Sequence, residues 1–156
     1  MWRDLCEQLQ VERQQIDELF VSHARVLEAP EDLDPDQIEI SALAAFLHTL
    51  YGGIENCFRR IVVELDDEPP SGEMWHRALL RSMTVPTDNR PRVISDELHE
   101  RLLEYLRFRH LFRHLYLMKL DWQEMKHLVI GVGDVVEVWK AELDAFALRM
   151  DEKRET

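Results

Sequence analysis

Apolar residues recur along the chain at intervals of three and four, the spacing that lines side chains up on one face of an α-helix. A first stripe, over about residues 3–28, holds Leu5, Leu9, Ile16, Leu19, Phe20 and Leu27. A second runs through Ile38, Leu43, Leu47, Leu50, Ile54, Phe58, Ile61 and Leu65, with Asp34 placed to cap it and Pro35 to occupy its first turn. A short third helix is expected over about 72–84, after Ser71. The fourth starts after Ser95 with Leu98, Leu102, Leu103 and Leu106 and continues into a basic strip. Asp121, with Glu124 three residues on, opens a fifth in the manner of a capping box; it carries Leu128, Val132, Val135, Trp139, Leu143 and Phe146.

Pro-containing breaks at 29–35, 66–72 and 85–91 end each apolar pattern with turn chemistry. No segment keeps a two-residue alternation long enough to predict a sheet, and no internal repeat is present. Long helices with short links pack most simply as antiparallel neighbours. The expected fold is therefore all-α, an up-and-down antiparallel bundle of four long helices plus one short one, in a single domain spanning 1–156.

Composition narrows the setting. With 46% hydrophobic and 32% charged residues the chain is that of an ordinary folded protein. Its charged, amphipathic first residues do not form a signal peptide, and no run approaches the roughly 18 apolar residues needed to cross a bilayer. Cys6 and Cys57 lack metal-type spacing and read as isolated thiols in a reducing compartment. A cytoplasmic protein with no membrane contact is expected.

A net charge of −12 opposes broad binding to nucleic acid, DNA in particular, because the whole-molecule field repels phosphates. The charge is uneven, however. Residues 105–119 contain Arg107, Arg109, Arg113 and Lys119 and no acid, so the remainder carries sixteen net negative charges. A basic strip on an acidic body predicts a local anion site.

Within that strip stand Arg109, His114 and Tyr116. A histidine with an ordinary pKa of about 6.5 exchanges protons near neutrality, and an arginine offers a planar, permanently charged clamp for phosphate. The pattern Arg-x4-His-x-Tyr on the penultimate long helix of a bundle resembles that of HepT-like proteins of the HEPN superfamily. The resemblance implies a metal-independent endoribonuclease without a cofactor, acting as the toxin of a toxin–antitoxin pair. It implies Arg109 and His114 as catalytic residues and RNA as substrate. It also implies a nucleotidyltransferase antitoxin (MNT-type) that silences the toxin by adenylylating Tyr116, and a homodimer whose motifs face a shared cleft. His110, Arg113 and Arg107 are candidates for accessory roles.

Helical geometry complicates this picture. Five residues turn a regular helix by about 500°, which leaves Arg109 and His114 about 140° apart. A distorted helix, converging side chains or a second chain are the ways to unite them. Arg109 and Tyr116, seven apart, share a face.

Other readings compete. The strip can be a plain solvated face, Tyr116 a residue of the bundle rim, and the whole chain a catalytically inactive partner of the nucleotidyltransferase. Glu73-x-x-His76 and Glu124-x-x-His127, with Glu55 and Glu12 or Glu18, have the composition of a di-iron site in a four-helix bundle. Helix-start capping accounts for both pairs more simply, since each acid falls in an expected first turn. His110 and His114 form half of a zinc site, but no third ligand stands near. Gly131-Val-Gly133 lacks the rest of a dinucleotide fingerprint, and with Gly52-Gly53 it marks close helix approaches or a kink.

Overall fold

The computed structural model describes residues 1–114 and 120–156. Among them the chain forms helices α1 (Trp2–Ser22), α2 (Ala24–Leu27), α3 (Gln37–Leu65), α4 (Trp75–Ser82), α5 (Asp96–His114) and α6 (Trp122–Glu155), with a 3₁₀ turn at Pro30–Asp32. No strand occurs among the described residues; one isolated bridge pairs Thr87 with Arg90. None of these helices is long and apolar enough to cross a membrane.

Four long helices form the expected bundle, and side-chain pairs give its direction. Arg60 of α3 bonds Gln8 and Glu12 of α1, and Phe46 of α3 meets Phe20 of α1 edge to face. Further along, Glu55 of α3 meets Arg109 of α5, and His48 meets Phe112. Tyr105 of α5 donates to the Leu128 carbonyl of α6 at 2.7 Å, and Arg101 reaches Asp134. Trp2, Arg13 and Asp17 of α1 pair in turn with Asp151, Asp144 and Lys140 of α6, closing the ring. In every case the numbers rise on one helix as they fall on its neighbour. The order around the bundle is α1, α3, α5, α6, all neighbours antiparallel.

The core follows the sequence stripes. Leu43, Leu47, Leu50, Ile54, Phe58 and Ile61 of α3 are at most 1% exposed and meet Leu98 and Leu102 of α5 and Val132, Trp139 and Phe146 of α6 in one apolar cluster. Burial of such residues is the main favourable term in folding.

Several boundaries differ from expectation. The first helix breaks at His23, whose Nδ1 and backbone N–H both lie against the Leu19 carbonyl. Ser22 Oγ bonds back to the Glu18 carbonyl, a contact that competes with helix continuation. The second long helix is capped by Asp36, not Asp34: Glu39 N–H donates to Asp36 Oδ1 (2.9 Å) and Asp36 N–H to Glu39 Oε1 (3.1 Å). This reciprocal box satisfies two orphan donors where Asp34 would satisfy one, and Pro35 lies outside the helix. The short helix starts at Trp75, after a turn in which Gly72 adopts a φ of 95°. Ser71 and Glu73 therefore precede it and do not cap it. Ser95 and Asp121 do cap α5 and α6, accepting from Leu98 N–H and Gln123 N–H.

Of the glycines, Gly53 alone marks a tight helix approach: a Cβ there would lie 3.2 Å from Ile16 of α1. Gly52 and Gly133 face open space, and no kink is needed to explain them.

The candidate anion cleft

One stripe of α5, Leu106, Arg109, His110, Arg113 and His114, faces the loop before α4 and that helix's first turn across a cleft of about 500 Å³. Arg107 and Leu111 complete the α5 side, while Glu73, Met74, His76 and Arg77 form the opposite wall. Four arginines and three histidines thus surround one cavity with a single lining acid, Glu73. Arg77, Arg107 and Arg113 make no ion pair among the described residues.

All the expected site residues that lie within the described chain border this cleft. Arg109 and His114 both line the cleft, about 140° apart around the axis of a regular helix, with Leu106, His110 and Arg113 on the arc between them. One chain thus brings both residues to a common cavity without a distorted helix. Tyr116 and Lys119 lie outside the described residues.

Burial separates the roles of the two residues. His114, His110, Arg107 and Arg113 are exposed, whereas Arg109 turns inward and its side chain is only 16% accessible. Its Nη1 donates to Glu55 Oε1 at 2.7 Å, and the guanidinium carbon stands 6.0 Å from the centre of the Tyr51 ring. The other oxygen of Glu55, Oε2, lies 2.8 Å from His76 Nδ1. Glu55 is itself 4% exposed. One buried carboxylate therefore holds an arginine from α5 and a histidine from α4. Bonds to a buried carboxylate are shorter and stronger than neutral ones, and each oxygen is committed to one partner. Burial pushes the neighbouring Tyr51 phenol well above its ordinary pKa, with the Glu55 charge adding to the shift and Arg109 opposing it. The Tyr51 hydroxyl is thus a neutral member of this layer.

His76 is fixed from a second side. Its ring stacks on Trp75 (centroids 3.7 Å apart), and Arg59 of α3 lies 5.8 Å from the Trp75 ring centre. His110 and His114 meet edge to face at 4.5 Å. His48, half-buried against Phe112 on the inner side of α5, has its pKa lowered by burial first and then by the charges of Arg109 and Arg113.

The carboxylate-rich alternative finds different geometry. Glu55 and His76 do meet, but the third group on that carboxylate is a guanidinium. Glu12 is taken by Arg60, and His127 lies 4.0 Å from Glu104 on the exposed start of α6. No set of three or more His, Cys, Asp or Glu among the described residues is placed to hold a metal ion.

Sequence reasoning placed Glu55 and His76 only in that alternative, and it passed over Arg77. A signal for Glu55 existed: it sits between Ile54 and Phe58 on an otherwise apolar face, where a charge requires a partner.

Residues 42–150, well over half of the chain, match the model of a family described as HepT-like protein. The matched region takes in α4 and α5 whole and most of α3 and α6, hence every described wall of the cleft. No curated protein and no solved structure matches the chain. The chain belongs to the HepT-like family, whose fold is of the HEPN ribonuclease type.

Proposed function

We propose that this HepT-like chain is an endoribonuclease toxin that cleaves RNA in the α4–α5 cleft and is silenced by a nucleotidyltransferase antitoxin. The observation that carries the reading is the cleft itself: four arginines and three histidines around one cavity on a protein of net charge −12. Such a cavity attracts a phosphate that the rest of the surface repels.

The chemistry follows from the side chains present. RNA cleavage without an external nucleophile requires removing the 2′-hydroxyl proton, stabilising the charge on the phosphoryl oxygens and protonating the leaving 5′-oxygen. Guanidinium groups preorganised beside the phosphate supply the second requirement, and imidazoles the other two. In this account Arg109 clamps the phosphate from the cleft's inner edge and His114 transfers a proton from its outer edge. His110 and Arg113, on the arc between them, and Arg107, just beyond His114, give electrostatic support. Held by Glu55, Arg109 loses little side-chain freedom when substrate binds.

A homodimer would place two such clefts together, and the exposed Met74 and Leu111 at the cleft border supply apolar surface for the contact. Tyr116 follows the cleft residues directly in sequence, so an adenylyl group there would set an anion against the arginines that RNA requires.

A second reading, an inactive binding partner of the nucleotidyltransferase, draws on the neutralisation of Arg109 by Glu55. Growth separates the two. Expression of the chain alone is expected to arrest cells, and Arg109→Ala or His114→Ala to relieve the arrest. A harmless wild type that leaves cellular RNA intact sinks the toxin reading. Co-expression with the cognate antitoxin should add adenylyl mass to the peptide containing Tyr116; an unchanged mass removes that part of the account.

A further inference from the structure

Within that ribonuclease reading, we propose that His76 is a second catalytic histidine: the general base that, carried by α4 and held by Glu55, works opposite His114.

Three observations meet at this side chain. Nδ1 of His76 is committed to Glu55 Oε2 at 2.8 Å, so the atom left for chemistry is Nε2, which has no protein partner among the described residues. The side chain is 26% exposed against 6% for Glu55, and it lines the same cleft as Arg109 and His114. The ring also rests against that of Trp75, the two planes tilted by 31°. A carboxylate on one ring nitrogen fixes tautomer and orientation, and it sits beside the positive charge that forms when the other nitrogen takes a proton. His110 and His114 contact each other and have no such carboxylate among the described residues. Of the three cleft histidines, His76 is the one built to accept a proton.

Glu55 further couples this base to the phosphate clamp. Its Oε1 holds Arg109 and its Oε2 holds His76, so the group that binds the phosphate and the group that activates the nucleophile share one buried anchor. Glu55 does not line the cleft and acts as a positioning residue for both.

His76 Nε2 takes the 2′-hydroxyl proton while the 2′-oxygen forms its bond to phosphorus. The bond from phosphorus to the 5′-oxygen breaks with its electron pair on oxygen, and the His114 imidazolium gives that oxygen a proton. The products are a 2′,3′-cyclic phosphate and a 5′-hydroxyl. Proton exchange with water then returns both histidines to their starting states.

The test is single-turnover cleavage by the full chain of an RNA oligonucleotide and of the same oligonucleotide with sulfur in place of the scissile 5′-oxygen. A thiolate leaves without protonation, so loss of the general acid is relieved by sulfur and loss of the base is not. His76→Gln is expected to slow both substrates about 100-fold and to remove the low-pH limb of the rate profile. His114→Ala should be slow on the ordinary substrate and recover on the sulfur one. In His76→Ala, added imidazole should restore part of the rate, which a purely structural histidine would not permit. Folding is checked by melting temperature, and if the Gln variant does not fold the imidazole rescue decides. A His76→Gln enzyme within threefold of wild type, sulfur relief of that variant, or failure of imidazole to rescue overturns the role of His76 while leaving the ribonuclease reading intact. A wild type that cuts neither oligonucleotide overturns both.

Discussion

Glu55 is the residue on which the site's architecture turns, because a carboxylate this deep in a helical core is tolerable only when both oxygens are bonded. Removing one partner of a buried ion pair costs about 3–5 kcal/mol, since the other charge is left uncompensated. Glu55→Ala should therefore destabilise the protein by about 3 kcal/mol, the lower end, because Arg109 keeps some access to solvent. Replacing both, Glu55→Leu with Arg109→Met, should recover much of that loss. Denaturant unfolding checks this, and a double variant no more stable than Glu55→Ala contradicts it.

His48 makes a separate, pH-dependent contribution. Burial, then Arg109 and Arg113, holds its pKa below the ordinary value, so the unfolded chain takes up its proton more readily than the folded one. Stability from this group is present above about pH 6.5 and is lost as the pH falls through that value toward the lower, folded pKa. His48→Gln should flatten the fall in melting temperature between about pH 7 and pH 5. Parallel curves for the two proteins would show that His48 does not contribute.

Among the elements, the connection from α4 to α5 carries more structure than its Pro-rich sequence suggests. Arg90, 1% exposed, donates to both oxygens of Asp66 at 2.7 and 2.9 Å and to the carbonyls of Ser82, Val85 and Pro91. It ties the end of α3 to the end of α4 and to the segment that leads into α5. Arg90→Met leaves Asp66 and three carbonyls without their partner and should cost about 3–5 kcal/mol. A melting temperature within a degree or two of wild type would contradict this.

Here the limits of a linear reading are plain. Apolar periodicity foretold the four long helices, and turn chemistry the start of α5 after Ser95 and the cap of α6 at Asp121, although Asp121 accepts from Gln123 N–H and not in a box with Glu124; these depend on residues within a few positions of each other. The cap expected at Asp34 gave way to Asp36, which forms a reciprocal box with Glu39, and the expected start of the short helix gave way to a turn at Gly72. Arg90 was invisible because its partners lie up to 24 residues away.

At the scale of the whole molecule, an acidic body carries a cationic cavity, assembled where α4 packs against α5. The α5 half was legible as an acid-free strip bearing Arg109 and His114. The opposing half was not: Glu73, His76 and Arg77 join the cleft only because α4 packs against α5, and no spacing within either segment encodes that contact. Helix geometry placed Arg109 and His114 on different faces correctly, yet could not show a cleft wide enough to span both.

The central claim, that this cavity cleaves RNA by side-chain chemistry, is tested most directly by incubating the purified chain with RNA in the presence of a metal chelator and analysing the termini. The account predicts fragments ending in 2′,3′-cyclic phosphate and beginning with 5′-hydroxyl, with cleavage reduced by about 100-fold or more in Arg109→Ala and in His114→Ala. Intact RNA with the wild-type protein, or cleavage by both variants at the wild-type rate, would contradict it.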